Sequence, residues 1–195
     1  MTKSTKNGDQ PCGCSVHAHA RRLKQRRLLY LAGATPAGRP AVASAKYEAL
    51  VLACIDPRLQ APVFDYLQHK RRKLAGKYSQ VNLAGAAIAA VAQDFAGWHQ
   101  TFWDNLDLSV SLHKVSRVIV IQHRDCGAMG ALYGGKPGAG PAPPDHEARR
   151  DHRRAEKQLH LEVVETFGTL LEANFPKLGL EAILMDLDGK TDKLI

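Results

Sequence analysis

Apolar residues cluster in a few short runs along the chain, separated by polar, Gly/Pro-rich or charged stretches. The run KYEALVLACID, 46–56, is apolar through its middle and reads as a buried strand. Asp56-Pro57 follows as a helix N-cap and first helical position. Leu59, Val63, Tyr66 and Leu67 then recur at helical spacing and predict one apolar face. YSQVNLAG, 78–85, predicts a second short strand ending at Gly85, and 86–114 predicts mostly helix with a break near Gly97. VSRVIVIQH, 115–123, is strongly β-branched and predicts a central parallel strand.

The second half continues the alternation. GGKPGAGPAPPDH, 134–146, is a loop by composition. Residues 147–174 suit a long helix with Leu159, Val163, Phe167 and Leu170 on one face, and LEAILMDLDGK, 180–190, predicts a last strand and turn. Strands alternating with helices predict an α/β fold with a mostly parallel β-sheet flanked by helices. No internal repeat is visible.

Upstream of residue 46 the pattern changes. Residues 1–18 are polar and read as a mobile tail, 19–32 as a basic helix, and 34–41 (ATPAGRPA) as a linker. The expected organisation is therefore a basic N-terminal extension over 1–45 and one globular domain over 46–195. The formal net charge is +8, and the first 27 residues hold seven Lys or Arg against one Asp. Further basic runs lie at 69–73 and 149–154. No aromatic residues interleave with them as a stacking platform would require, so solvated surface is expected and nucleic acid is not.

No run of about 18 apolar residues exists, so no membrane span is expected. RRLLYLAGATPAGRPAVASA, 26–45, faintly resembles a twin-arginine export signal ending in Ala43-Ser44-Ala45, but Pro36, Arg39 and Pro40 interrupt its apolar stretch. The expected compartment is the cytoplasm. There the four cysteines would be thiolate ligands rather than disulfides.

Both apolar strands end in chemistry. Cys54 closes the first, and His123 closes the second with Cys126 three residues on. Open α/β sheets place their sites at the carboxyl ends of strands. Two thiolates and one imidazole suit zinc, and three protein ligands leave a fourth position open. Taken singly, Cys54 could be a small buried hydrophobe, Asp56 a plain helix cap and Arg58 plain surface. H-R-D at 123–125 also occurs in the protein-kinase catalytic loop, but Gly130 stands where that motif needs Asn.

Two further motifs carry weaker signals. Cys12, Cys14, His17 and His19 form a possible second metal cluster in the tail, where incidental binding or none is expected. DLDGKTD resembles the start of a calcium loop, but placing Gly189 sixth puts Leu184 first and Ile195 twelfth, so a plain turn is expected.

Taken together, C-x-D-x-R at 54–58 and H-x-x-C-G at 123–127 resemble the β-class carbonic anhydrases. The resemblance runs from about residue 47 to 131 and resumes at EAILMDLDGKTDKL. It implies zinc held by Cys54, His123 and Cys126, with Asp56 and Arg58 as the catalytic pair. Asp56 would accept a hydrogen bond from zinc-bound water, or become a fourth ligand in a closed form. The implied activity is reversible hydration of carbon dioxide to bicarbonate, with zinc-bound hydroxide as nucleophile. The implied assembly is a homodimer or higher homo-oligomer.

Three departures from the family pattern bear on the site: Pro57 in place of Ser or Ala, Asn82 and Leu83 in place of Arg and Asn, and Gln122 in place of Gly. They leave two alternatives open. One is a hydrolase of carbonyl sulfide or carbon disulfide. The other is a non-catalytic zinc-stabilised binding protein, against which the Asp56–Arg58 pair speaks.

Overall fold

The computed structural model describes residues 46–70 and 74–195. The expected basic extension, 1–45, with Cys12, Cys14, His17 and His19, lies outside the described residues, as do positions 71–73 of the HKRRK run.

Five strands form one sheet: β1 (Ala49–Ala53), β2 (Tyr78–Asn82), β3 (Arg117–His123), β4 (Gly179–Met185) and β5 (Thr191–Lys193), in the order β2-β1-β3-β4-β5. All pairs are parallel except β4–β5. The expected α/β architecture is thus what the chain adopts. Every residue of β1 and all of β3 beyond Arg117 are buried. That explains why these two segments read as continuous apolar runs rather than alternating ones.

Helices flank the sheet. A 3-10 turn, Pro57–Leu59, leads into α1 (Gln60–Asp65), and Tyr66–Lys70 widens into a π-helical turn. Next come α2 (Ala87–Val91), α3 (Ala96–His113), α4 (Gly127–Tyr133) and the long α5 (His146–Asn174). The break expected near Gly97 lies earlier. Ala92 is extended and Gln93–Phe95 form a 3-10 turn, while Gly97 sits inside α3. The Ala92 carbonyl accepts the Phe95 amide at 3.0 Å and lies 2.9 Å from His99 Nε2, so both bonds hold the chain at the break.

The buried stripe of α5 is Glu156, Leu159, His160, Val163, Val164, Phe167 and Leu171. Leu170, expected on that face, is only half-buried, and Val164 and Leu171 share the stripe instead. Phe167 stacks on Trp103, with ring centroids 5.8 Å apart, and Trp103 stacks in turn on Phe175. The aromatic cluster contributes much of the buried apolar area on this side of the sheet.

The segment expected as a final strand and turn is a hairpin. The Asp186 amide donates to the Lys190 carbonyl at 2.7 Å, Gly189 takes a φ of 82°, and β5 returns along β4. Lys190 pairs with Asp188 across this turn. Among the described residues no helix is long and apolar enough to cross a membrane.

Candidate metal centre

β1 and β3 are neighbours, with Ala53 opposite Ile121, so the two chain exits at Cys54 and His123 lie side by side. The chain then turns through Arg124 and Asp125 before α4 begins, and this turn brings Cys126 back. The Cys54 Sγ, a ring nitrogen of His123 and the Cys126 Sγ all lie within 4.8 Å of one another. The three residues are buried, with His123 at 0 % exposure. Among the described residues they are the group of His, Cys, Asp or Glu side chains close enough to hold one ion.

Two details show that these residues fit a metal. His123 Nδ1 lies 2.8 Å from the Arg124 carbonyl. A carbonyl can only accept, so Nδ1 carries the proton and Nε2 keeps its lone pair. That Nε2 is buried and has no hydrogen-bond partner among the described residues. A buried imidazole acceptor left open beside two thiols has the chemistry of a ligand.

The sulfurs are prepared as well. The Gly85 amide donates to Cys54 Sγ at 3.2 Å. Gly85 has a φ of 72°, and a Cβ there would lie 2.9 Å from the Ala128 Cβ, so a side chain at 85 would disturb the approach of this N–H. The Cys126 thiol holds the Cys54 thiol well below the usual range, with help from His123 and the Asp56 and Gly85 amides and against the effect of burial. The same contact, together with burial, pushes Cys126 up. The pair therefore gives up its first proton readily, as a metal-binding thiol pair must.

Asp56 and Arg58 stand at the mouth of this cluster. Asp56 caps the Pro57–Leu59 turn, accepting the Arg58 amide at 2.9 Å. Pro57 takes the position where an amide would have no helical partner. The Arg58 guanidinium reaches back to the same carboxylate: Nη2 donates to Oδ2 at 2.7 Å, and Nε is shared between the two oxygens at 3.0 and 3.2 Å. Arg58 holds Asp56 down to a pKa of about 2 and has its own pKa raised in return. Asp56, expected as a fourth ligand only in a closed form, is turned to Arg58 in this structure.

Several residues around the site were not found by sequence reasoning. Asp125 adopts a left-handed φ of 56°, and its Oδ2 accepts from Arg58 Nη1 at 2.7 Å. Arg124 is buried and meets three carboxylates: Glu156 at 2.9 Å, Asp186 at 2.9 Å and Asp192 at 2.7 Å. Glu156 was legible in principle. It lies three residues before Leu159 and seven before Val163, so it falls on the apolar stripe of α5. His160, on the same stripe, is wholly buried, and burial pushes its pKa down to about 3, so it is neutral. Gln122, already noted as a departure, is fully buried, and neither of its amide atoms has a hydrogen-bond partner among the described residues.

A cavity of about 210 Å³ adjoins the cluster, lined by Cys54, Leu59, Val63 and Phe64 together with Gln60, Gln80 and Asn82. Its walls are part apolar and part neutral polar, and no charged side chain among the described residues lines it.

Known proteins resemble parts of this chain. Residues 44–137 match the model of a family described as "Putative carbonic anhydrase". An uncharacterized protein of Rickettsia bellii is 28 % identical over 145 residues, 74 % of this chain and 80 % of that one. A second, from Rickettsia conorii, is 25 % identical over 145 residues, 74 % of this chain and 70 % of that one. Among solved structures, the β-carbonic anhydrase CafA of Aspergillus fumigatus aligns over 91 % of this chain and 85 % of its own, at 17 % identity and a TM-score of 0.41. A tetrameric β-carbonic anhydrase of Sordaria macrospora aligns over 91 % and 96 % at 14 % identity and the same TM-score of 0.41. The stretch that carries both motifs, 44–137, thus matches the "Putative carbonic anhydrase" family, and the resemblance to carbonic anhydrases read from Cys54–Arg58 and His123–Gly127 is borne out at that level.

Proposed function

We propose that the protein is a zinc-dependent carbonic anhydrase that interconverts carbon dioxide and bicarbonate. The observation that carries this reading is the buried Cys54–His123–Cys126 cluster with its open His123 Nε2. These three residues would hold the ion. When bound, zinc supplies Lewis-acid activation of water near neutral pH.

The chain's own residues do the rest. At neutral pH Asp56 is ionised, because Arg58 stabilises the carboxylate. A carboxylate offers about four acceptor sites. Three donors of Arg58 (its amide, Nε and Nη2) use most of them. What remains of that capacity can accept a hydrogen bond from the attacking water and aim its lone pair at the carbon. Asp56 thus acts as an acceptor that orients, and Arg58 keeps it charged and in place. The cavity beside Cys54, whose described lining is apolar and neutral polar, suits a small uncharged substrate. Addition of water to carbon dioxide yields bicarbonate and one proton, which leaves to solvent.

We also take the chain to work as a homodimer or larger homo-oligomer. Ile55 and Phe64 flank the site and are 56 % and 59 % exposed, an apolar rim that a second copy would cover. Sedimentation at micromolar concentration checks this.

Metal analysis followed by stopped-flow carbon dioxide hydration tests the main reading. One zinc per chain and zinc-dependent hydration are expected. Zinc-loaded protein that leaves the hydration rate unchanged between pH 7 and about 9 would overturn it. Release of sulfide from carbonyl sulfide or carbon disulfide by that protein would point to the hydrolase instead.

A further inference from the structure

We propose that Glu156, on α5, is a positioning residue for the metal centre: it holds the turn that places Cys126 beside Cys54 and His123, and Asp125 beside Arg58. The inference rests on the reading of that cluster as a metal site.

Glu156 is 4 % exposed, on a helix stripe that is otherwise apolar except for His160. A buried carboxylate is costly unless its oxygens are fully used. Both are used here. Oε2 accepts from Arg124 Nη1 at 2.9 Å, and Oε1 accepts the Asp125 amide at 2.8 Å. The two donors belong to consecutive residues of the 124–126 turn. Asp125 is left-handed there, a conformation that a non-glycine residue keeps only when its surroundings impose it. The bond from its amide to Glu156 is such an imposition.

Charge neutralisation alone does not explain Glu156. Arg124 already meets Asp186 and Asp192. The contact that Glu156 alone supplies is the one to the Asp125 amide. From there the connection runs on through the Asp125 carboxylate to Arg58 and through Arg58 to Asp56. The long helix is thereby tied to both halves of the site, the ligand turn and the charged pair.

The test uses the full chain with Glu156→Leu, Glu156→Gln and, as a control, Asp192→Asn, which removes a different Arg124 partner and leaves the turn alone. Two quantities are measured: amide hydrogen exchange in metal-free protein, and zinc affinity by competition with a chelator. Glu156→Leu is expected to speed exchange at 125–127 about tenfold or more while Ala49–Ala53 stays protected. Its zinc affinity should fall about 10- to 100-fold. In Glu156→Gln one oxygen can serve the Asp125 amide or Arg124 but not both, so about three- to tenfold changes are expected in the same places. Asp192→Asn should stay within about twofold of wild type at 125–127 and in zinc affinity.

Exchange that rises evenly over sheet and turn, or a turn and zinc affinity within twofold of wild type in Glu156→Leu, would overturn the proposal. If Glu156→Leu does not fold, Glu156→Gln decides: a result indistinguishable from Asp192→Asn sinks the idea. Carbon dioxide hydration enters neither measurement, so a chain without that activity can still support the role of Glu156. A chain that binds no zinc is judged on exchange alone.

Discussion

Arg58 Nη1 lies 2.7 Å from Asp125 Oδ2, and the two residues are 67 positions apart in the chain. The same guanidinium holds Asp56 through Nε and Nη2. One side chain therefore fixes the exit of β1 against the turn after β3. Arg58 is 46 % exposed, so each ion pair taken singly contributes little. The combination matters more for geometry: with five donors in a rigid fork, arginine can serve two carboxylates without moving, which lysine cannot do.

The first prediction concerns that pair. Asp56→Ala should keep zinc and lose about 10²- to 10³-fold in kcat, because it removes the acceptor that orients the attacking water. Arg58→Ala should lose rate as well and leave Asp56 free to move onto the metal. In that case the variant would regain activity as pH rises. Arg58→Lys should not restore the rate. Stopped-flow hydration on metal-quantified protein checks all three, and an Asp56→Ala variant with wild-type kcat would remove Asp56 from the mechanism.

A second prediction concerns the ligands. Cys54→Ser and Cys126→Ser should each copurify with well under one zinc per chain. His123→Ala should do the same, since Nε2 is the buried atom left open for the metal. Cys54 and Cys126 each remove a soft thiolate on substitution, and a hydroxyl does not replace it as a zinc ligand. Elemental analysis gives the answer directly, and full occupancy in either Cys variant would contradict the assignment.

The parts legible in the sequence are those written in local pattern. Buried strands β1 and β3 announced themselves through apolar runs, and the meeting of Cys54, His123 and Cys126 through their place at the strand ends. Asp56–Arg58 was legible because both partners lie within one turn of chain. Asp125 and Glu156 were not read, because their roles depend on which distant segments meet. Glu156 acts 31 residues from the amide it binds. A charge on the apolar stripe of α5 was the available signal, and it was masked by the basic residues around it. The helix break was misplaced for a different reason: Gly97 lowers helix propensity, but the surroundings of Gly97 are open and the helix simply continues through it. Ala92, a good helix former, is extended instead, with its carbonyl bonded by Phe95 and His99 in the next turn of chain.

The pH dependence of stability follows from Asp56. Its pKa in the folded chain is about 2, below the ordinary 3.8, because Arg58 stabilises the charged form. A depressed carboxylate pKa contributes stability that is present above the unfolded value and is lost as pH falls through the folded one. The window is therefore from about pH 4 down to about 2. After discounting for solvent at the half-exposed Arg58, the contribution is about 1 kcal/mol. Asp56→Asn keeps the cap, since Asn also accepts the Arg58 amide. Its urea stability should then fall about 1 kcal/mol short of wild type at pH 6, with chelator present, and converge with it near pH 2. A gap that persists unchanged to pH 2 would mean that the charge of Asp56 is not its source.

The last prediction concerns Gly138, in the loop between α4 and α5. It has a φ of 84°, and a Cβ built there would lie 2.2 Å from the Glu156 nitrogen and 2.6 Å from the Ala155 carbonyl carbon. These are backbone atoms of a long helix, which cannot swing aside as a flexible side chain would. Gly138→Ala must therefore push the loop away from α5 or displace the helix at Glu156. Both the left-handed φ and the overlap act against the variant, and the expected cost is roughly 2–4 kcal/mol. For a chain of this length that corresponds to a fall of about 5–15 °C in Tm. Gly135→Ala is the matched control: no atom lies within 4 Å of its Cβ position and its φ is not positive. Its stability should stay within about 0.5 kcal/mol of wild type. If Gly138→Ala melts like Gly135→Ala, the loop does not pack on α5 as described. If it melts lower, its zinc affinity should fall with it, because the displaced backbone is that of Glu156, which holds the turn bearing Cys126.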